Sequence, residues 1–256
     1  MARIRPVSHE DRLTLVEHLD ELRIRLIISV AVFAIAFGLC FWQDRLLFDL
    51  LNDPLPAGRR PLTLGVTEPF FTTLTVSAYA ALLLSLPLIL YQVYAFVLPA
   101  FSPGERRIVL PMLLMVPFLL FAGVAFGYFV VLPAALKFLL NFNESEFNIQ
   151  IRAREYYSFA AMTLAALGIL FQIPVVIVAL TRLGITNPRQ LRRLRRHAVV
   201  VIAIVAMLLP GTDPVTMLIA MVPLLVLYEL SILLAVLVER SRRRSLGGAP
   251  APEGPG

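Results

Sequence analysis

The sequence predicts an all-α membrane protein of six kinked transmembrane helices in a curved arrangement, with both termini on the cytoplasmic side. Three observations lead there. Of 256 residues, 59% are hydrophobic and 16% charged, and the mean hydropathy is +0.81, so polar side chains are too few to cover a water-soluble globule of this length. The apolar residues gather into six runs: Leu26 to Trp42, Phe70 to Leu98, Ile108 to Leu136, Tyr157 to Leu180, Ala198 to Leu209 and Val215 to Val238. Of the 23 arginines and lysines, 17 fall in the two tails and in the second and fourth loops, which places those segments in the cytoplasm. The same bias accounts for the net charge of +6 without invoking nucleic acid.

Residues 8 to 25 read as a surface helix opened by a Ser8/Asp11 capping pattern, with Leu15, Leu19, Leu22 and Leu26 along one stripe. Its polar face carries Glu17, Asp20 and Glu21. An internal Glu21 to Arg25 pair, one turn apart, is one use of this patch, and binding of a cation is the other. The 25 residues before the first run are rich in Glu and Asp, unlike the short basic start of a cleaved signal, and although Ala34-Ile35-Ala36 faintly mimics a cleavage site the N-terminus is expected to be retained. The single cysteine, Cys40, falls in the first run and gives neither a disulfide nor a thiol pair.

Gln43 to Pro69 is long enough to form a structured outer cap. The second run has 29 residues, more than a hydrocarbon core of about 30 Å requires, and its outer end is expected to project into that cap. At Pro99 this run breaks, and the turn Ser102-Pro103-Gly104-Glu105-Arg106-Arg107 leads into the third. Ser102 reads as an N-cap, Pro103 as the first helical residue and Glu105 as the third, where a carboxylate caps the helix or meets a cation.

Pro87, Pro111, Pro117, Pro133, Pro174 and Pro223 lie within the runs, and each removes a backbone donor and bends its helix. The fourth loop opens with Asn187 and Pro188 as cap and first residue of a short basic helix suited to anionic lipid. The fifth run has only 12 residues, about 18 Å of helix, so a thinned bilayer or a partner docked around Met207 and Leu208 must absorb the deficit. Asp213 before Pro214 reads as the cap of the sixth run. Counted from the cytoplasmic ends, Gln172 and Glu229 both fall about 15 Å deep. A lone acid there is costly, so Glu229 is expected to be mostly protonated, and to bond Gln172 or share a concave face with it. Residues 1–240 make a single domain in this reading, and 241–256 a disordered tail.

Read in order, His18-Leu19-Asp20-Glu21-Leu22-Arg23-Ile24-Arg25, Asp53-Pro54-Leu55, Glu68-Pro69-Phe70-Phe71, Leu84-Ser85-Leu86-Pro87, Tyr91-Gln92-Val93-Tyr94-Ala95-Phe96, Glu105-Arg106-Arg107, Phe126-Gly127-Tyr128-Phe129, Gly184-Ile185-Thr186-Asn187-Pro188 and Asp213 carry a resemblance. From about residue 13 to 240 the chain resembles the TatC family, the multi-span receptor subunit of the twin-arginine protein translocase. The resemblance implies a glove-like set of six helices that binds signal peptides bearing two arginines. It also implies single-span partners, TatA and TatB, and passage of folded proteins driven by the proton-motive force. Carried over, Glu21 and Glu105 match the signal-binding acids, Arg23 and Phe96 positions of the same site, Pro54 one in the outer cap, and Tyr128 and Asp213 outer-side positions. One departure is Phe171-Gln172-Ile173-Pro174, where family members often carry glutamate; glutamine hydrogen-bonds but does not titrate.

A proton- or ion-coupled small-solute transporter is the alternative from another class, although no glycine-interrupted pair of spans marks a midplane site. An intramembrane protease would need a metal motif, a serine–histidine pair or two membrane aspartates, and none is present. His9, His18 and His197 lack metal-ligand spacing, so neither a metal nor a cofactor is expected.

Overall fold

A computed structural model describes residues 9–56, 61–97, 109–143, 145–146, 149–210 and 213–247. The described chain is helical almost throughout: α1 His9–Trp42, α2 Asp44–Asn52, α3 Glu68–Val97, α4 Val109–Phe126, a π-helical turn Gly127–Val131, α5 Leu132–Asn141, α6 Ala153–Leu170, α7 Ile173–Arg182, α8 Pro188–Arg193, α9 Arg195–Met207 and α10 Pro214–Gly247. Five stretches have the length and hydropathy to cross a membrane: Leu19–Trp42, Glu68–Phe96, Leu114–Asn141, Ala153–Arg182 and Pro214–Leu237. The short fifth run appears as α9, whose 13 residues give about 20 Å of helix.

Two expectations about ends are corrected. The surface helix and the first span are one continuous helix of 34 residues, because no proline or glycine interrupts the chain from residue 9 to residue 37. At the other end α10 runs on to Gly247, seven residues into the expected tail; Ser241 to Leu246 have ordinary helix propensity, and the next glycine stands at its end. The Ser8 cap lies outside the described residues.

The prolines act in two ways. Pro87, Pro117 and Pro223 stay inside unbroken helices, whereas Pro133 and Pro174 each stand in the first turn of a new one. A proline ring collides with the carbonyl four residues back. Upstream of Pro133 the chain widens into the π turn, and upstream of Pro174 it breaks at Phe171–Gln172. After α7 the chain reverses through a Schellman turn: Ile185 N–H donates to Leu180 O, Gly184 N–H donates to Thr181 O, and Gly184 takes a φ of 74°.

α6–α7 is the most enclosed span, α1 the least: 56% of the former's membrane window is buried and 11% of the latter's. Accordingly α6 packs against α3 and α4, α7 and α9 pack against α10, and α1 rests mainly on α3. Close approach of α4 to α6 depends on Gly123, where a Cβ would stand 2.9 Å from the Leu167 carbonyl oxygen and 2.8 Å from the Phe171 ring. Large apolar side chains such as Leu26, Val30, Phe118, Val222 and Leu237 stay exposed, as suits a protein whose solvent is hydrocarbon.

At the opposite end of the bundle from the start of α1, the described residues between Gln43 and Pro69 form α2, a turn and a short bridged segment, the structured cap that the length suggested. Glu68, 4% exposed, binds it together: Oε2 accepts from Leu64 N–H (3.0 Å) and Gly65 N–H (3.2 Å), while Oε1 accepts from Arg152 Nε (3.1 Å) and Arg154 N–H (3.2 Å). The same bonds hold the Arg152 guanidinium more firmly protonated than a free one. A single parallel bridge continues the link, with Leu62 N–H donating to Ile151 O and Ala153 N–H to Leu62 O, both at 2.8 Å.

Two measurements test this packing. In detergent, Gly123→Ala is expected to lower stability by about 1–3 kcal/mol through overpacking. Gly38→Ala in α1 has nothing within 4 Å and is expected to leave the thermal midpoint unchanged or slightly raised. Removing the hub carboxylate by Glu68→Ala strands three backbone donors and a guanidinium. Hydrogen exchange at Leu64, Gly65 and Arg154 is expected to speed up about ten-fold or more, each lost charged bond being worth roughly 1.5–3 kcal/mol.

Candidate functional site

At the end of the bundle where α1 starts and α10 finishes, Glu21 lies in the first half of α1. Glu21 is half-exposed and accepts from the guanidinium of Arg25, one turn on, with Arg25 Nε at 3.0 Å. Arg25 reaches further: its Nη1 donates to Gln92 Oε1 of α3 at 3.3 Å. The internal pair is therefore formed, and it also ties α1 to α3. Phe96 follows Gln92 by one turn on the same face of α3, so Glu21, Arg25, Gln92 and Phe96 gather where α3 nears its end. Arg23, two residues from Glu21, lies exposed on another face of α1. Glu105 lies outside the described residues, as do Ser102 and Pro103.

The expected meeting of Gln172 and Glu229 does not occur. Gln172 is 4% exposed and its Nε2 donates to Val116 O (3.2 Å) and Gly168 O (3.4 Å). The helix break explains this choice. Gln172 N–H bonds Ile169 O, which releases the Gly168 carbonyl, and the glutamine's own side chain takes it up. Glu229 is instead half-exposed and accepts from Arg195 Nη2 at 2.7 Å, across from the start of α9. The helices α7 and α10 are neighbours as the shared site requires, but a full cation at hydrogen-bond distance outbids a neutral amide. The partner of Glu229 is thus Arg195 and not Gln172.

Asp213, 6% exposed, caps α10: Oδ1 accepts from Thr216 N–H at 2.7 Å and Oδ2 from the Thr216 hydroxyl, with Pro214 as the first helical residue. Asn187 opens α8 before Pro188, and its N–H donates to Gln190 Oε1 at 3.2 Å. Met207 and Leu208, at the end of α9, are 57% and 75% exposed. Pro54 stands in the turn after α2, next to Asp53.

Three tyrosines hold that turn and the end of α2. Tyr128 donates to Leu50 O (2.9 Å) and Asp53 Oδ2 (3.2 Å), Tyr156 to Leu51 O, and Tyr157 to Asn52 Oδ1 (2.7 Å). Tyr128 and Tyr156 satisfy backbone carbonyls that the last turn of α2 leaves open, and Tyr157 holds the Asn52 side chain. Sequence reasoning named Tyr128 but missed Tyr156, Tyr157, Gln92, Arg152 and Arg195. Each of these bonds a residue at least 34 positions away, which no local spacing reveals; even Gln92, which stands inside a quoted motif, has its partner Arg25 67 positions off.

Comparisons with known proteins bear on the family and the fold. A model of the family described as "Sec-independent protein translocase protein (TatC)" matches residues 17–223. The Aquifex aeolicus protein named "Sec-independent protein translocase protein TatC" is 36% identical over 234 residues, covering 90% of this chain and 97% of its own. Its namesake from Escherichia coli K12 is 35% identical over 230 residues, covering 88% and 89%. Among solved structures, "Crystal Structure of Twin Arginine Translocase Receptor- TatC" superposes with a TM-score of 0.76 at 35% identity, over 87% of this chain and 99% of that one. With a family model across most of its length, full-length relatives and a matching fold, the chain belongs to the TatC family of Sec-independent protein translocase proteins, which are membrane translocase components and not enzymes.

Proposed function

We propose that this protein is the signal-peptide receptor and core component of a twin-arginine translocase in the cell membrane, both termini in the cytoplasm. Leader peptides bearing two arginines dock where α1 meets the end of α3, with Glu21 and Glu105 as acceptors and Arg23 and Phe96 beside them. The observation that carries the reading is the Glu21–Arg25–Gln92 chain. It holds a half-exposed carboxylate, already engaged by one guanidinium, against the helix that leads into the Glu105 turn. A carboxylate set up for a planar, two-pronged donor explains a demand for arginine over lysine. Single-span partners of the TatA and TatB type join at the Met207–Leu208 surface, folded cargo passes under the proton-motive force, the basic α8 leans on anionic lipid, and copies of the chain self-associate.

Leader binding is the first test. Glu21→Gln and Glu105→Gln are each expected to weaken binding of an Arg-Arg leader roughly ten-fold or more at low salt, in line with charged hydrogen bonds of about 1.5–3 kcal/mol. Unchanged affinity in both variants, or equal photo-crosslinking of Arg-Arg and Lys-Lys leaders, would overturn the site. If Glu105 serves only as a helix cap, its variant loses stability and keeps its affinity.

The second test concerns partners. Cysteines at Met207 and Leu208 are expected to crosslink to a TatA- or TatB-type helix, because docking there shields the short α9 and the backbone of the following turn from lipid. Labelling by lipid-soluble reagents alone, with no protein crosslink, would make the surface purely lipid-facing.

A further inference from the structure

A cavity of about 440 Å³ lies beneath α2, between α3, α4 and α6. Its walls include Val76, Ala80 and Leu83 from α3, Ala125 from α4 and Ala161 from α6, and Leu47 and its neighbours on α2 close its outer end. The lining is almost entirely carbon. The hydroxyl of Tyr128, which also borders the space, is already engaged with Leu50 O and Asp53. Phe121 and Phe129 stand at the rim, 75% and 72% exposed, so the space opens sideways toward the surrounding membrane. Measured along α3 from Glu68, Val76 to Leu83 lie about 12–23 Å in, a depth occupied by hydrocarbon.

Three occupants can be weighed on physical grounds. Water needs two to four polar partners and finds none on these walls. An empty space of this size forfeits the contacts of every wall atom, a cost that a membrane full of mobile chains need not leave unrelieved. A membrane-spanning helix about 30 Å long and 10 Å across displaces on the order of 2,000 Å³ and would run into the α2 roof. A flexible hydrocarbon chain fits both the volume and the closed end.

We propose that this cavity is a binding site for one acyl chain of a membrane phospholipid, which enters between Phe121 and Phe129 and fills the space under α2. The chain completes the packing beneath α2, whose last turn the three tyrosines bond, so lipid becomes a structural part of the outer cap. The small residues Ala80, Ala125 and Ala161 leave the room that it takes.

The test uses the full-length protein in nanodiscs containing a phosphatidylcholine with a diazirine near the end of one acyl chain, and maps the attached lipid by mass spectrometry. Expected is labelling concentrated on Ala80, Leu83 and Ala161, exceeding that on the openly exposed Val226 and Leu233, and lost in Ala125→Phe and in Ala80→Phe, which fill the space from opposite walls. Gel filtration and thermal unfolding identify any variant that has not folded, and the wild-type map stands without either. Labelling no denser on the cavity wall than on Val226 and Leu233 overturns the proposal. So does attachment of a photoreactive leader peptide to the same wall residues in place of lipid, which would make the occupant a polypeptide.

Discussion

A peptide group that loses its helical partner inside hydrocarbon has no water to turn to, and this constraint governs where the chain is permitted to bend. The Pro174 break releases the Gly168 carbonyl, and Gln172 answers with an amide that also reaches Val116 on α4. One side chain thus repairs the break and fastens the most enclosed span to its neighbour. The widening ahead of Pro133 keeps the helix continuous, and Gly127 within it permits contact with Leu164 and Leu167 of α6, to which an added Cβ would come within 3.0 Å. Bends and packing are the same problem solved twice.

Much of this was legible from spacing alone. Pro174 marked a break and Pro133 the widening before it, although Pro87, Pro117 and Pro223 interrupt nothing; Asp213 before Pro214 marked a cap, Asn187 before Pro188 another, and the shortness of α9 followed from counting residues. What stayed hidden was long-range. A depth count placed Gln172 and Glu229 at one level, but it carried no information about azimuth, and Arg195, 34 positions from Glu229, decided the outcome. The Glu68 hub was invisible for the same reason, since its guanidinium comes from Arg152, 84 positions away. The extent of α1 was misjudged because the change from polar to apolar composition at Leu26 was taken for a change of element. Composition sets which solvent a helix meets, whereas only a breaker sets where it ends.

The acids sort by burial into fixed and exchangeable groups. Glu68, with four donors around a side chain 4% exposed, cannot release one partner without uncovering the rest. Glu21 is 35% exposed and keeps solvent on one side, so an incoming guanidinium can replace or join Arg25 without passing through a desolvated intermediate. Glu229 and Arg195 are similarly open, at 49% and 51%. Their mutual pairing leaves a nearly neutral spot on a face otherwise dominated by the exposed arginines of α8 and the start of α9.

The continuity of α1 has a mechanical consequence. Its 34 residues make a rod of about 51 Å that rests mainly on α3. A rod cannot tilt at one end without displacing the other. A lateral displacement imposed at Glu21 would therefore be felt at the Trp42 end. There Gln43 joins α1 to α2, so the roof over the outer cavity is attached directly to the far end of the same rod.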